Sequence, residues 1–237
     1  MQGIPTLDLA YGGEDAGGEY HSIYDSYDDF SRFKDPGFHY EVALAQTAGR
    51  VVLRMADADV LPYNFRDLHK TVSGYTNELI VLVKETRENT EVENELINGG
   101  DYKLSADPLK TFIVPLAKAV VPYLDFSPLQ NALVALQKSA DSITVICTKA
   151  LNQSNNDELN KKLYAAEQQL LLVNGLPRRS WYKHALYAPG FYTGYDPKTL
   201  PGIREAIEQR NWKEAQEQII VDAELINKLA VYLAGIR

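Results

Sequence analysis

Apolar residues recur with helical spacing through most of the chain and predict a largely helical protein. Spacings of three and four residues place apolar side chains on one face of a helix. Prolines and small polar residues mark several ends: Ser127 and Pro128 are typical of a first turn, and Pro201 opens another helix. The predicted helices cover about 35–57, 64–89, 108–123, 127–150, 156–173, 201–208 and 211–234.

Two of these segments carry the clearest apolar stripes. The stripe of 127–150 contains Leu129, Leu133, Leu136, Ala140, Ile143, Cys147 and Ala150. That of the last helix contains Ala215, Ile219, Ala223, Ile226, Ala230 and Leu233. Stripes of this kind are typical of the core of a helical bundle rather than of a cofactor pocket.

The N-terminal segment follows a different pattern. Residues 4–11 alternate between apolar and small or polar positions, which predicts one short β-strand before a glycine-rich loop over Gly12–Glu19. No later segment offers a partner strand, and unpaired strand backbone is costly. We therefore expect this strand to belong to a sheet supplied by sequence outside the chain. The predicted fold class is mainly α, a helical bundle with a short N-terminal β-strand remnant.

Composition narrows the possible partners. The 237 residues are 45% hydrophobic and 24% charged, as in ordinary globular proteins. A net charge of −8 argues against nucleic acid, which requires a concentrated basic surface. No apolar run approaches the roughly 20 residues that span a bilayer, so no direct membrane insertion is expected. The single Cys147 excludes an internal disulfide and leaves the compartment undecided.

A long aromatic segment separates the fifth and sixth predicted helices. Residues 177–195 include Trp181, Tyr182, Tyr187, Phe191, Tyr192 and Tyr195. Loops of this length inside a compact domain are usually functional or packed against another domain. This segment is therefore predicted to bind a ligand or form an interface, with plain structural packing as the alternative.

His21, within Tyr20-His21-Ser22, is the residue of greatest chemical interest. A zinc centre needs three or four protein ligands, yet the chain has four histidines, one cysteine and no HExxH or CxxC spacing. From the residues alone, His21 is either an ordinary histidine or one ligand of a metal site completed elsewhere.

Three blocks carry a resemblance to a known family. They read YHSIYDSYDDFSRFKDP, VALAQTAGRVVLRMADADVLPYNFRD and GLPRRSWYKHALYAPGFYTGYDPKTLPGI. Together they resemble the C-terminal part of glutamate carboxypeptidase II and of its non-peptidase relative, the transferrin receptor. The resemblance implies that residues 1–58 end a zinc-peptidase α/β domain and that residues 59–237 form a helical dimerisation domain.

The resemblance also implies roles for individual residues. His21 matches the last zinc ligand of the two-zinc peptidases, which the transferrin receptor lacks. Tyr20 and Tyr195 match the tyrosines that contact the C-terminal carboxylate of the substrate. The remaining ligands and the general base would lie upstream, so this chain alone is expected to bind no zinc stably and to be inactive.

Departures from the family pattern weaken the prediction of glutamate specificity. Members specific for glutamate have a lysine where this chain has Gly194, and arginines where it has Asp8 and Ala10. An acidic and an apolar residue cannot attract an acidic substrate.

The resemblance therefore predicts a homodimerising, active-site-completing region of a carboxypeptidase-type enzyme, joined to an upstream peptidase domain. It implies a parent that is secreted, periplasmic or a membrane-anchored ectodomain. The alternative is a non-enzymatic interaction module like the transferrin receptor ectodomain. A third possibility, a free-standing bundle without a catalytic parent, predicts that residues 1–20 pair with nothing.

Overall fold

A computed structural model describes residues 3–13, 18–107, 109–153 and 155–237. Within these ranges the chain is mainly α-helical, as the sequence predicted, and it contains one two-stranded sheet that the sequence did not predict. The helices are α1 (Tyr27–Asp29), α2 (His39–Ala56), α3 (Phe65–Gly99), α4 (Asp101–Leu104), α5 (Ser127–Ala150), α6 (Asp157–Ala165), α7 (Pro201–Glu208) and α8 (Trp212–Ala234). A π-helical turn (Phe30–Lys34) follows α1, and a 3-10 turn (Ala166–Leu170) follows α6. The strands are β1 (Tyr187–Pro189) and β2 (Pro197–Thr199).

The core lies where α5 packs along α8, with α3 and α7 beside this pair. The stripes predicted for α5 and α8 are buried there, except that Cys147 is only partly covered. Burial of such side chains is the main stabilising contribution to a helical domain, at about 1.5–3 kcal/mol for each large aliphatic residue. None of the helices in the described ranges is long and apolar enough to cross a membrane.

Helix α3 extends ten residues beyond its predicted end at 89 and includes the acidic run that follows. Asn64 caps its N-terminus, where the Asn64 side chain accepts hydrogen bonds from the amides of Arg66 and Asp67. Gly100 caps its C-terminus in the left-handed conformation (φ 83°) common at helix ends. The glutamates within the run are good helix formers, so their charge does not stop the helix.

The helix predicted over 108–123 is wrong. Residues 109–123, which we call the strap, have no regular secondary structure, and Pro108 lies outside the described residues. Pro115 and Pro122 remove backbone donors, and neighbouring side chains satisfy other strap groups instead. Asn94 of α3 exchanges two 2.8 Å hydrogen bonds with the backbone of Lys118. Arg87 donates to the carbonyl of Pro122 at 3.0 Å.

The helix predicted over 156–173 is shorter than expected. Helix α6 ends at Ala165, and the 3-10 turn that follows ends at Leu170. The chain then becomes extended because its backbone pairs with the aromatic segment: the Leu172 amide donates to the Lys183 carbonyl at 2.7 Å. The helical spacing of apolar residues gives no indication of this long-range pairing.

The prediction of a strand over 4–11 is wrong. Residues 4–13 have no regular secondary structure. Of the glycine-rich loop predicted over Gly12–Glu19, residues 14–17 lie outside the described residues. The extended segment contacts α2 through a 2.7 Å hydrogen bond between the hydroxyls of Tyr11 and Thr47. Helix α2 forms as predicted, yet no residue in it is buried.

Candidate functional site

The Tyr20-His21-Ser22 segment forms a tight turn in the N-terminal region. The Ser22 amide donates to the Glu19 carbonyl at 2.8 Å, and the His21 amide donates to Asp25 Oδ2 at 3.2 Å. His21 has φ 63°, a left-handed conformation that few residues other than glycine adopt. Such backbone strain is found preferentially at functional sites, where surrounding contacts hold it in place.

A β-hairpin brings the aromatic segment to this turn. Strands β1 and β2 are antiparallel, with Ala188 opposite Lys198. The loop between them is closed by two hydrogen bonds: the Gly190 amide donates to the Asp196 carbonyl at 3.0 Å, and the Gly194 amide donates to the Gly190 carbonyl at 2.8 Å. Gly194 has φ 64°, so the residue that replaces the family's lysine occupies a conformation suited to glycine.

The structure brings together the three residues that the sequence selected. The rings of Tyr20 and His21 lie 3.8 Å apart, centroid to centroid. The Tyr195 side chain interacts with Tyr20, and this interaction is the largest cause that raises the pKa of Tyr20 above its usual value. Both tyrosines remain largely exposed. Two phenol hydroxyls and one imidazole therefore share one open surface.

A second polar group lies beside the hairpin, and the sequence reasoning missed it. His184 is 3% exposed, and its Nε2 is 2.8 Å from Glu167 Oε1. Its Nδ1 accepts the Leu186 amide at 3.2 Å, so Nε2 carries the proton and donates to the carboxylate. Burial is the main cause that raises the pKa of the adjacent Tyr187 to about 12. Sequence offered no signal for this pair, because its members lie on a turn and a loop.

The His184–Glu167 pair borders an open cleft of about 560 Å³, whose opposite wall is Gly3–Thr6. Gly3 packs closely on Gln168: a β-carbon built at Gly3 would lie 3.0 Å from the Gln168 α-carbon. The N-terminal segment is thus seated on the helical part near the hairpin, without pairing as a strand.

The described residues supply one imidazole but not a complete metal site. No group of three or more His, Cys, Asp or Glu side chains that could hold a metal occurs in the described ranges. His21 could provide one nitrogen ligand, and a zinc ion would take its two or three further ligands from outside these residues. Asp8 and Ala10, at the family's arginine positions, lie exposed on the extended segment.

Comparison with known proteins identifies the helical part. Residues 124–234 match the transferrin receptor-like dimerisation domain. A protein of Arthroderma benhamiae named "Probable glutamate carboxypeptidase" is 30% identical over 224 residues, 92% of this chain and 26% of that protein. A protein of Arabidopsis thaliana named "Probable glutamate carboxypeptidase LAMP1" is 29% identical over 98% of the chain and 30% of its own length.

A relative with a different printed activity is also similar over nearly the whole chain. Aminopeptidase NAALADL1 of Rattus norvegicus is 27% identical over 92% of the chain and 27% of its own length. The chain thus spans about a quarter to a third of the curated relatives it matches. Residues 124–234 thus match the transferrin receptor-like dimerisation domain, and the chain is similar to glutamate carboxypeptidase-like peptidases over nearly its whole length, which confirms the resemblance drawn from the sequence.

Proposed function

We propose that this chain is the dimerisation and active-site-completing region of a two-zinc exopeptidase of the carboxypeptidase type. The observation that carries the proposal is the meeting of Tyr195, at the tip of the hairpin, with the Tyr20–His21 turn. Residues so distant in sequence come together on one surface although nothing in the core requires it, since both tyrosine side chains are exposed.

In this proposal Tyr20 and Tyr195 bind the terminal carboxylate of a peptide. A phenol hydroxyl donates a hydrogen bond to a carboxylate without bringing a charge that must be desolvated. The Tyr20 hydroxyl is a donor at neutral pH even at the ordinary pKa of a phenol, and its interaction with Tyr195 raises that pKa further. His21 lies beside this pair as one ligand of a zinc ion whose other ligands belong to the complete parent.

The proposal does not include specificity for glutamate. Gly194 has no side chain with which to pair an acidic group, and the exposed Asp8 would repel one. We therefore assign the substrate only as a peptide with a free C-terminal carboxylate. Because the rat relative is named as an aminopeptidase, the first property to test is whether the chain recognises the C-terminus or the N-terminus of a peptide.

Titration of the chain with peptides tests whether the tyrosine pair binds a terminal carboxylate. Peptides with a free C-terminus should shift the NMR signals of the Tyr20 and Tyr195 rings with a Kd of about 1–10 mM, or about 3–4 kcal/mol of binding free energy. The amidated peptide is the matched control and should bind at least tenfold more weakly. Equal shifts with both peptides, or unchanged binding by the Tyr20→Phe/Tyr195→Phe variant, would contradict the proposed role.

An activity assay tests whether catalysis requires residues outside this chain. The pure chain supplied with zinc should hydrolyse no peptide, because the bridging ligand and the general base lie outside it in this proposal. Zinc-dependent hydrolysis that the His21→Ala variant abolishes would show that the chain carries a complete site and would overturn this part of the proposal.

We propose further that residues 59–237 dimerise with a second copy and that residues 1–58 belong to the peptidase domain. The strap offers the contact surface, because Ile113, Leu116, Val120 and Tyr123 are each more than 70% exposed while the strap backbone is pinned to α3. Leu109 is 93% exposed and Phe112 46%, so the strap presents six apolar side chains toward an interface whose standard size is ~800 Å² per partner.

Analytical ultracentrifugation tests this surface. The chain should be dimeric at about 10 μM, because interfaces of standard size have affinities from μM to pM, and Leu116→Glu should weaken association at least 100-fold. Val173→Glu is the control, since Val173 is 89% exposed and lies outside the strap. A monomeric wild-type chain, or equal weakening by both variants, would contradict the assignment.

The alternative is a non-enzymatic interaction module that dimerises through the same strap. The exposed strap favours dimerisation under either function, so the tyrosine pair is the discriminator. Under the alternative, free-acid and amidated peptides behave alike while Leu116→Glu still disrupts the dimer.

A further inference from the structure

One buried arginine lies under the hairpin that carries Tyr195. The side chains of Arg179 and Glu205, the latter from α7, are 4% and 8% exposed. Arg179 Nη2 lies 2.6 Å from each Glu205 carboxylate oxygen. Breaking a charge pair so far removed from water is costly, because the remaining partner is left as an uncompensated buried charge; Arg179 Nε itself has no hydrogen-bond partner among the described residues.

The same pair binds the hairpin backbone on both sides of Gly190. Arg179 Nη1 donates to the carbonyl of Pro189, the last residue of β1. The amide of Phe191, the second residue of the loop, donates to Glu205 Oε1 at 2.8 Å. Donor and acceptor of one ion pair thus fix the path of the chain as it leaves β1.

Two aromatic rings complete the enclosure. The guanidinium carbon of Arg179 lies 5.4 Å from the ring centroid of Tyr182 and 5.6 Å from that of Phe191. Both distances are within the range of cation–π attraction, which is stronger when the cation is desolvated. A lysine could supply the charge at this position but not the planar fork that bonds the carboxylate and the carbonyl together.

We propose that Arg179 and Glu205 are positioning residues that hold the hairpin loop so that Tyr195 faces Tyr20. Neither is placed to touch a ligand, since both side chains are buried whereas Tyr195 is 83% exposed. They act through the backbone of Pro189 and Phe191, from which the loop leads to Tyr195. The consequence for ligand binding rests on the proposed function, but the positioning itself does not.

The neighbouring arginine provides a matched control. Arg178 makes two 2.8 Å hydrogen bonds to Glu214 and lies 5.6 Å from the Phe191 ring centroid. Its side chain is 40% exposed, and its described hydrogen bonds do not reach the hairpin backbone. Loss of Arg178 should therefore leave the loop in place.

Amide hydrogen exchange of the whole chain tests the positioning. In Arg179→Lys and in Glu205→Gln, the amides of Gly190 and Gly194, which close the loop, should exchange at least tenfold faster than in the wild type. Arg178→Gln should change them less than threefold, and the amides of α8 should stay within threefold in every variant. The lysine and glutamine substitutions are the conservative ones, chosen so that the protein still folds.

A spectroscopic coupling measures the position of Tyr195 directly. The chain is labelled with 3-fluorotyrosine at position 195, and the fluorine resonance is recorded with and without Tyr20→Phe. This substitution should shift the resonance when Arg179 and Arg178 are both intact and also in the Arg178→Gln background. It should cause no shift in the Arg179→Lys background. Unchanged loop exchange, equal effects of the two arginines, or acceleration of α8 amides to the same extent as the loop would overturn the inference. Neither measurement uses a ligand. If the peptide titration shows no carboxylate binding, the hydrogen-exchange and fluorine results still decide whether Arg179 and Glu205 position the loop.

Discussion

Helices α2 and α5 have similar sequence patterns and very different environments. Both show apolar residues at helical spacing, and their lengths are 18 and 24 residues. Eight residues of α5 are buried, among them Leu129, Leu136 and Ile143. None of α2 is buried, and Val52 and Leu53 are each 65% exposed.

The difference shows that periodicity specifies a helix and its apolar face, but not what covers that face. Helix α5 has α3 and α8 as partners. Helix α2 displays its apolar residues on the surface, as expected for an element whose partner is a domain outside this chain under the proposed function. The stability of the described structure should therefore reside in the helices after residue 59, which three pairs of substitutions can test.

The largest expected effect comes from truncating equivalent leucines in the two helices. Leu136→Ala in α5 should lower the free energy of unfolding by about 2–5 kcal/mol, because it leaves a cavity in the core. Leu53→Ala in α2 should change it by less than about 0.5 kcal/mol, as is usual for surface sites. Chemical denaturation of both variants measures the contrast, and comparable losses would show that α2 is covered in solution.

A buried acid in α8 should make the stability of the core depend on pH. Asp222 is 2% exposed, its Oδ2 has no hydrogen-bond partner among the described residues, and burial raises its pKa to about 8. The folded form thus holds a proton that the unfolded chain, with a pKa near 3.9, releases. Stability is full below pH 4 and falls as pH rises to about 8, by at most about 1.4 kcal/mol per pH unit.

Asp222→Asn removes this titration. The variant should be more stable than the wild type by a few kcal/mol at pH 8 and should show a flatter profile between pH 4 and 8. Glu224→Gln, at an exposed position of the same helix, is the control and should follow the wild-type profile. Parallel profiles for Asp222→Asn and the wild type from pH 4 to 9 would contradict the buried proton.

The smallest effect concerns the segment that connects α2 to α3. Asn160 of α6 accepts the Leu61 amide at 2.8 Å and donates to the Asp59 carbonyl at 3.0 Å. Asn160→Ala should cost about 1–2 kcal/mol, since it leaves the Leu61 amide without its partner. It should also speed amide exchange at Leu61, whereas Asn152→Ala, in an exposed turn, should do neither. Unchanged exchange at Leu61 would show that other contacts hold the junction.

Sequence reasoning was most accurate where local and long-range forces agree. The stripes of α5 and α8 were identified almost residue by residue, because periodic burial against another helix leaves a direct trace in sequence. The start of α7 at Pro201 was also predicted, since proline suits the first turn of a helix.

Errors arose where long-range contacts override local pattern. The strap was predicted as a helix, but side chains of α3 satisfy its backbone groups in an extended path. Helix α6 was predicted too long, because its last residues pair instead with the aromatic segment. The predicted helix ended at residue 89, before the acidic run; α3 includes that run because helix propensity rather than net charge decides its structure.

The candidate site also has parts that the sequence predicted and parts that it did not. Tyr20, His21 and Tyr195 were selected from sequence by resemblance, and the aromatic segment was recognised by its length and composition. Neither the hairpin nor the Arg179–Glu205 pair beneath it was foreseen, since an ion pair between a loop and a helix has no periodic signal.

The sequence by itself determined the helical class, the apolar stripes of the core and the residue types of the site, because each depends on side-chain chemistry at short spacing. Only the tertiary structure decided that Tyr195 meets Tyr20, that a buried arginine and glutamate support the hairpin, and that the described residues leave the faces of α2 and the strap uncovered. These features depend on which distant segments share space, and therefore on the packing of the whole chain.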